Sequence, residues 1–348
     1  METATEMQLH LVDHSSNTPA VQENNIPDQR EVETAFDAPV QQSKKVRNFI
    51  EANTIPVNLN HLKNDCIIPV FRDNEKTISH YEFVDAVEFS ARHYFKGAEI
   101  MKPEIRVSHQ INGRIPQALH KKVHELEEWE KTRYYERMMF VIEIPSVTEV
   151  VNGNRLNLTI GGVRALNHES LFSKKSIEKF KVFVGFQNLV CCNLLVSTDG
   201  IALDIRVSGY DDLIRNVLDL FNQYDITRHL NAMRDFGNYS LNEHRFAQII
   251  GKSRLYQHLP SIQKREIPPL DFNDGQINTI ARDYYNDKSF CRSENGNIDL
   301  WRLYQLFTGS NKSSYIDSFL DRSLNAYCFT QGLAEALKGD SNYKWFLS

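Results

Sequence analysis

The sequence predicts an α+β fold, an antiparallel β-meander covered by a helix and followed by a mostly α-helical C-terminal region. Three observations predict it. M-M-F-V-I-E-I-P (Met138 to Pro145) and the run after it flank Asn152-Gly153, the strongest short hairpin signal, because both residues accept positive φ. Asp199-Gly200 offers a second signal of this kind, centred between Leu194 to Val196 and Ile201 to Val207. S-G-Y-D-D-L-I-R-N-V-L-D-L-F-N-Q-Y then sets Tyr210, Leu213, Ile214, Val217, Leu218, Phe221 and Tyr224 on one helical stripe that can cover the sheet.

From the N-terminus, residues 1–42 are rich in Glu, Asn, Gln, Thr, Asp and Pro and poor in large apolar groups, which predicts a disordered segment. Order is expected from S-K-K-V-R-N-F-I (Ser43 to Ile50). Residues 43–235 read as an α+β core and 236–348 as a helical domain. Cys66 to Phe71 reads as a strand, and Ser79 with Glu82 forms a capping box that opens a helix to Phe95. Arg114 to Lys131 reads as a helix from Leu119, Val123 and Leu126 behind Pro116. It would set His120 and His124 on one face, a metal-chelating spacing, but the H-E-x-x-H order is absent and the solvated-face reading prevails. Ser208 with Asp211 is read as the capping pair of the covering helix, and Ser240 with Glu243 as a capping box for a short helix ending at Gly251. Gln276 to Tyr285, Asp299 to Gly309 and Tyr315 to Tyr327 carry helical periodicity.

F-V-G-F-Q-N-L-V-C-C-N-L-L-V holds two adjacent cysteines between two asparagines. Read as a strand over Lys181 to Val196, period two sends Cys192 to the core and Cys191 to the opposite face, so the pair cannot chelate one ion. Sixteen residues exceed a usual strand, and a bulge or break is expected near Gln187-Asn188.

The formal net charge of −5 creates no global field for nucleic acid, so any such binding must use a local surface. Five scattered cysteines without a C-x-x-C pair fit neither a disulfide framework nor a zinc ribbon. The acidic N-terminus lacks the features of a secretory signal and no apolar run approaches a membrane span, so a cytoplasmic location with no membrane contact is expected. No cofactor or metal is expected.

Two places suit a nucleic-acid strand. Arg282, Lys288 and Arg292 interleave with Tyr284, Tyr285 and Phe290, supplying cations for phosphates and rings for bases; core aromatics on a helix are the competing reading. Lys312, Ser313 and Ser314 lie between two helices, where free N–H groups can receive a phosphate; a helix stop followed by a serine cap competes.

The runs R-V-S-H-Q-I-N-G-R-I-P, Y-Y-E-R-M-M-F-V-I-E-I-P-S, L-T-I-G-G-V-R-A and Q-L-F-T-G-S-N-K-S-S-Y-I-D-S-F-L-D-R, with the closing W-F-L, resemble the bacterial family called domain of unknown function 3871. V-C-C-N and L-Y-Q-L-F-T are more weakly similar to the phage- and plasmid-like domain of unknown function 932. The resemblance implies a protein carried by mobile elements and transfers no catalytic residue. Three function classes follow: a mobile-element accessory that binds single-stranded DNA or RNA and anneals strands, with self-association, as the meander and helix resemble the annealing-protein fold of phage recombinases; a non-catalytic protein-binding protein; and a metal-dependent nuclease, with Glu143 and Asp204 as its carboxylate candidates. The first is favoured.

Overall fold

Antiparallel pairing in the middle of the chain sets the architecture. The computed structural model describes residues 48–66, 68, 77–169, 177–339 and 341–348. Its strands are β1 (Ile55–Val57), β2 (Glu104–Val107), β3 (Gln110–Arg114), β4 (Lys131–Tyr135), β5 (Arg137–Val151), β6 (Asn154–Ala165), β7 (Glu178–Asn188) and β8 (Leu194–Val207). Among the described residues, six of them join one antiparallel sheet in the order β1-β2-β5-β6-β7-β8, while β3 and β4 pair into a separate ribbon. The meander expected from the sequence is therefore the centre of the fold. The segment 1–42 lies outside the described residues.

The first hairpin forms as its residues require. Asn152 and Gly153 take φ of 46° and 79° and Val151 pairs with Asn154, the geometry of a tight primed turn. The second turn falls elsewhere. β8 runs unbroken through Asp199-Gly200, which instead lies beside a register shift between Phe183 and Gly185 of β7. The reversal occupies Leu189 to Asn193, so the strand breaks after Asn188 as its length predicts, but Cys191 and Cys192 form the turn rather than the middle of a strand. Cys192 is only partly buried and takes a left-handed φ of 59°. Asn188 explains the reversal: its side chain accepts from the Val190 N–H at 2.9 Å, and its carbonyl accepts from the Cys192 N–H at 2.7 Å.

Helices cover both faces of the sheet. The chain forms α1 (Leu59–Asn64), α2 (His80–Tyr94), α3 (Tyr210–Gln223), α4 (Ile226–Phe236), α5 (Glu243–His258), α6 (Ser261–Lys264), α7 (Asp274–Asn286), α8 (Leu300–Asn311) and α9 (Ile316–Lys338). The capping box of Ser79 and Glu82 starts α2 as expected. Phe180, Val182, Val184 and Phe186 of β7 face a core shared with α2 and α3, whereas Phe183 faces Phe319 and Leu320 of α9. The first core continues through Phe246, Ile277, Tyr284 and Tyr304, so the sheet and the C-terminal helices share one apolar interior.

Local capping differs from expectation at two helices. α3 has Gly209 at its N-cap and so no side-chain cap there, and the Asp212 carboxylate accepts from the Ser208 N–H at 3.4 Å. α5 is capped by Asn242, not Ser240, since Ser240 and Leu241 pair with Ile298 and Asp299 in a short β-bridge. It also runs past Gly251 to His258, with Ile249, Ser253 and Tyr256 packed inside.

The predicted helix over Arg114 to Lys131 is absent. Its two ends are claimed by the ribbon, in which Arg114 pairs with Lys131 and the Ile115 N–H donates to the Glu130 carbonyl at 2.9 Å. A straight helix across the sixteen intervening residues would hold its ends about 24 Å apart at 1.5 Å per residue, so the segment folds as 3-10 turns instead. His120 and His124 consequently share no helical face. Of the strand read at Cys66 to Phe71, Cys66 and Ile68 have no strand conformation and the other positions lie outside the described residues.

Candidate binding surfaces

The residues singled out near the end of α7 separate into buried and exposed sets. Tyr284 is fully buried, stacked on Phe246 with ring centroids 3.9 Å apart, and its hydroxyl donates to the Gly296 carbonyl at 2.6 Å. The exposed ring is its neighbour Tyr285, over which the Arg292 guanidinium lies at 4.8 Å. Arg292 also pairs with Glu243 at 3.0 Å and Arg282 with Asp283 at 2.7 Å, while Lys288 is exposed. Two of the three cations there already hold carboxylates.

The second place, between α8 and α9, faces inward. Lys312 is buried; its ammonium donates to the Cys191 carbonyl and its own carbonyl accepts from the Glu51 and Ala52 N–H groups at 2.8 and 3.0 Å. Ser314 is buried as well, donating to Asn311 at 2.6 Å and accepting from Gln276 at 2.8 Å. Ser313 is exposed and donates to the Ser310 carbonyl at 2.8 Å. Neither serine caps α9, which starts after Tyr315 with no side-chain cap. Gln276, which touches Ser314, lies in the first turn of α7 and Lys288 beyond the far end of that helix, whereas Lys312 and Asp287, next to Lys288, both act on Cys191.

The cysteine turn is a structural joint. The Gln305 side-chain oxygen accepts from Asn188 and Asn193 at 3.3 and 3.2 Å and lies 3.6 Å from the Cys191 sulfur. Burial pushes the Cys191 thiol up to about 11, against the opposing pull of the Asn193 backbone and Lys312, so it stays protonated at neutral pH. Glu143 and Asp204 are equally unlike a catalytic pair. Glu143 is engaged by Asn157 and Asp204 by Arg206, and they sit on strands three pairings apart, about 14 Å. Among the described residues, no three metal-ligating side chains converge.

The ribbon presents a third polar face, on which Arg114 donates to the Lys121 carbonyl. Asn112 pairs with Arg133 and Arg114 with Lys131, so alternation places Gln110, Asn112, Arg114, Lys131 and Arg133 on one side. They form part of the wall of a cleft of about 400 Å³, completed by Val123, Leu126 and Glu128 from the 3-10 segment and Asp65 from the end of α1. The two carboxylates are occupied: Lys131 donates to Glu128 at 2.5 Å and lowers its pKa, while His61 lies 2.8 Å from Asp65. Arg133 is exposed and, among the described residues, pairs with no carboxylate. Trp129 stands 69% exposed in the same arm, in which Leu119 and Val123 are exposed too. The sequence held a signal for this face in Q-x-N-x-R and K-x-R, long polar side chains at period two, which the helical reading of the intervening segment obscured.

Residues 32–347 match the family described as "Domain of unknown function, B. Theta Gene description (DUF3871)", and the chain belongs to it. No curated protein and no solved structure matches the chain.

Proposed function

We propose that this protein binds single-stranded nucleic acid and that the β3–β4 ribbon is its contact surface. The observation that carries the reading is the ribbon face, where Arg114, Lys131 and Arg133 stand among the amides Gln110 and Asn112 in one cleft. Cations position a phosphate backbone, amides and guanidinium groups reach base edges, and an exposed indole such as Trp129 gives a base a stacking partner. Because the chain is acidic overall, such a site must act locally, and binding should fall steeply with salt. Strand annealing is the narrower activity that such a surface could serve.

The test is fluorescence anisotropy of labelled single strands at two salt concentrations. Replacing Lys131 and Arg133 by Ala should weaken binding and reduce the salt slope by about one unit per lost phosphate contact. Trp129→Ala should weaken it as well, with base stacking worth roughly 1 to 3 kcal/mol. Replacing Lys288 and Arg292 separates the ribbon from the α7 surface: unchanged affinity places the strand on the ribbon, and a larger loss there moves it to α7. A parent protein that binds no strand would end the nucleic-acid reading, and the exposed Leu119, Val123 and Trp129 would then favour a protein partner.

A further inference from the structure

Three buried polar atoms without a hydrogen-bond partner fall at one end of the six-stranded sheet: the Thr54 hydroxyl, Arg106 Nε and Arg137 Nε. Strand register groups them. Pro56 pairs with Arg106 and Arg106 with Met139, so Thr54, one residue before β1, and Arg137 are both diagonal neighbours of Arg106 on the same face. Diagonal positions lie about 7 to 8 Å apart, within reach of long side chains. This is the face on which Met139 packs with Phe319 and Leu320 of α9.

Arg106 is the unusual member of the group. It is only 9% exposed and, among the described residues, neither pairs with a carboxylate nor donates a hydrogen bond. A guanidinium keeps its proton, and a buried cation without a counter-charge is costly, so an anion bound here would remove a penalty that the fold otherwise carries. Of its nitrogens only Nε is both unpartnered and shut from solvent, which leaves the outer edge of the group accessible. The neighbouring acids leave it free. Glu136 holds an Arg137 terminal nitrogen at 3.1 Å, and Asp317, in the first turn of α9, lies 3.3 Å from Arg137 Nε without the alignment of a hydrogen bond. Glu104, two residues before Arg106, has its pKa raised by burial against the pull of Arg106 and forms no ion pair with it.

Two guanidinium groups and a hydroxyl from the ends of three neighbouring strands suit a tetrahedral oxyanion, which offers an acceptor to each of them, better than a two-oxygen carboxylate. We infer that this corner is a phosphate site, with Arg106 as its principal ligand and Thr54 and Arg137 beside it. The site stands independently of the ribbon but adjoins it. β3 and β4 continue the pairing of β2 with β5 in the same register, Val107 opposite Met138 and Gln110 opposite Tyr135. A phosphodiester of a strand on the ribbon is therefore one source of the phosphate, and a free phosphate group is the other.

The test is thermal unfolding of the whole chain in sodium chloride and in sodium phosphate of equal ionic strength. Phosphate also stabilises folded proteins in general, so the parent is compared with Arg106→Met, which keeps an apolar stem. The parent's midpoint should rise by about 2 to 4 °C more than the variant's once phosphate exceeds its Kd severalfold. Sodium acetate should give no such difference. In chloride the variant should melt no lower than the parent, because an unpaired buried charge has been removed. Thr54→Val should reduce the phosphate shift and leave the midpoint in chloride near the parent's. Equal shifts in parent and Arg106→Met, or an equal difference with acetate, overturn the inference. So does an Arg106→Met variant that melts lower in chloride or fails to fold, since the chain itself would then hold Arg106. Anisotropy of labelled single strands identifies the source. A salt slope about one unit smaller in Arg106→Met assigns the site to a strand phosphate, and an unchanged slope assigns it to a free phosphate group. A parent that shows the phosphate shift but binds no strand ends the nucleic-acid reading and leaves this site standing.

Discussion

Two turns of the same sheet reverse the chain by different means. The β5–β6 turn is encoded within itself, since Asn152 and Gly153 accept the positive φ values that a tight reversal of twisted strands demands. The β7–β8 turn places a cysteine at φ 59°, a conformation that costs a non-glycine side chain about 1 to 2 kcal/mol. It persists because Asn188, Asn193 and Cys191 are tied to Gln305, and the Cys191 carbonyl to Lys312, more than a hundred residues away. One turn is a local preference and the other is a docked joint. Asp199-Gly200 sharpens the lesson: Asp199 accepts from the Asp225 N–H at 2.9 Å and pairs with Arg228 at 2.7 Å, so a favourable turn pair is spent anchoring β8 to the start of α4.

Two buried histidines should make the fold acid-sensitive. His229 packs between Phe186 and Tyr327 near the second turn, its ring bonded to the Tyr224 hydroxyl at 2.8 Å, and burial lowers its pKa to about 3. His80, the buried first residue of α2, is lowered to about 3 by burial and by the nearby Arg164. Both are neutral when folded but take up a proton below about pH 6.5 when unfolded, so stability is complete above pH 6.5 and falls as the pH drops toward 3. Between pH 7 and 5 each histidine should cost about 2 kcal/mol, at roughly 1.4 kcal/mol per pH unit. Urea midpoints at the two pH values measure this, and His229→Phe should flatten the dependence; an unchanged slope would remove His229 from the account.

Breaking the joint directly should cost less than the two histidines together. Gln305→Leu leaves the buried Asn188 amide without its acceptor, while the Asn193 amide keeps the backbone carbonyl of residue 305, and should destabilise by about 1 to 3 kcal/mol. Denaturant unfolding tests it, and a loss near zero would show that the second turn holds without α8.

The glycines give the smallest effects and the finest contrast. A methyl group at Gly200 would run into the Val184 carbonyl and the Tyr224 ring, so Gly200→Ala should cost about 1 to 3 kcal/mol by overpacking. Gly153 has open space around it, and Gly153→Ala should cost only about 1 kcal/mol, through its positive φ. Cys192→Gly should be neutral or stabilise by up to about 1 kcal/mol, because it relieves the left-handed strain. If Cys192→Gly instead destabilised as much as Gln305→Leu, the cysteine side chain would itself be part of the joint.

The sequence by itself determined the elements whose signals are short-ranged: the Asn152-Gly153 hairpin, the capped α2, the apolar stripe of α3 and the alternation along β7 up to Asn188. Each depends on dihedral preferences or periodicity within a few residues. Only the tertiary structure decided which side chains meet solvent. Tyr284, Lys312 and Ser314 carry the same residue types as a binding surface, yet Phe246, Cys191 and Gln276 claim them, and nothing within a helical turn of each could have revealed that. The ribbon face was hidden for the converse reason. Its two strands are short and lie sixteen residues apart, so their alternation becomes a surface only when the cost of closing that loop is met by pairing Arg114 with Lys131 and by the core beneath.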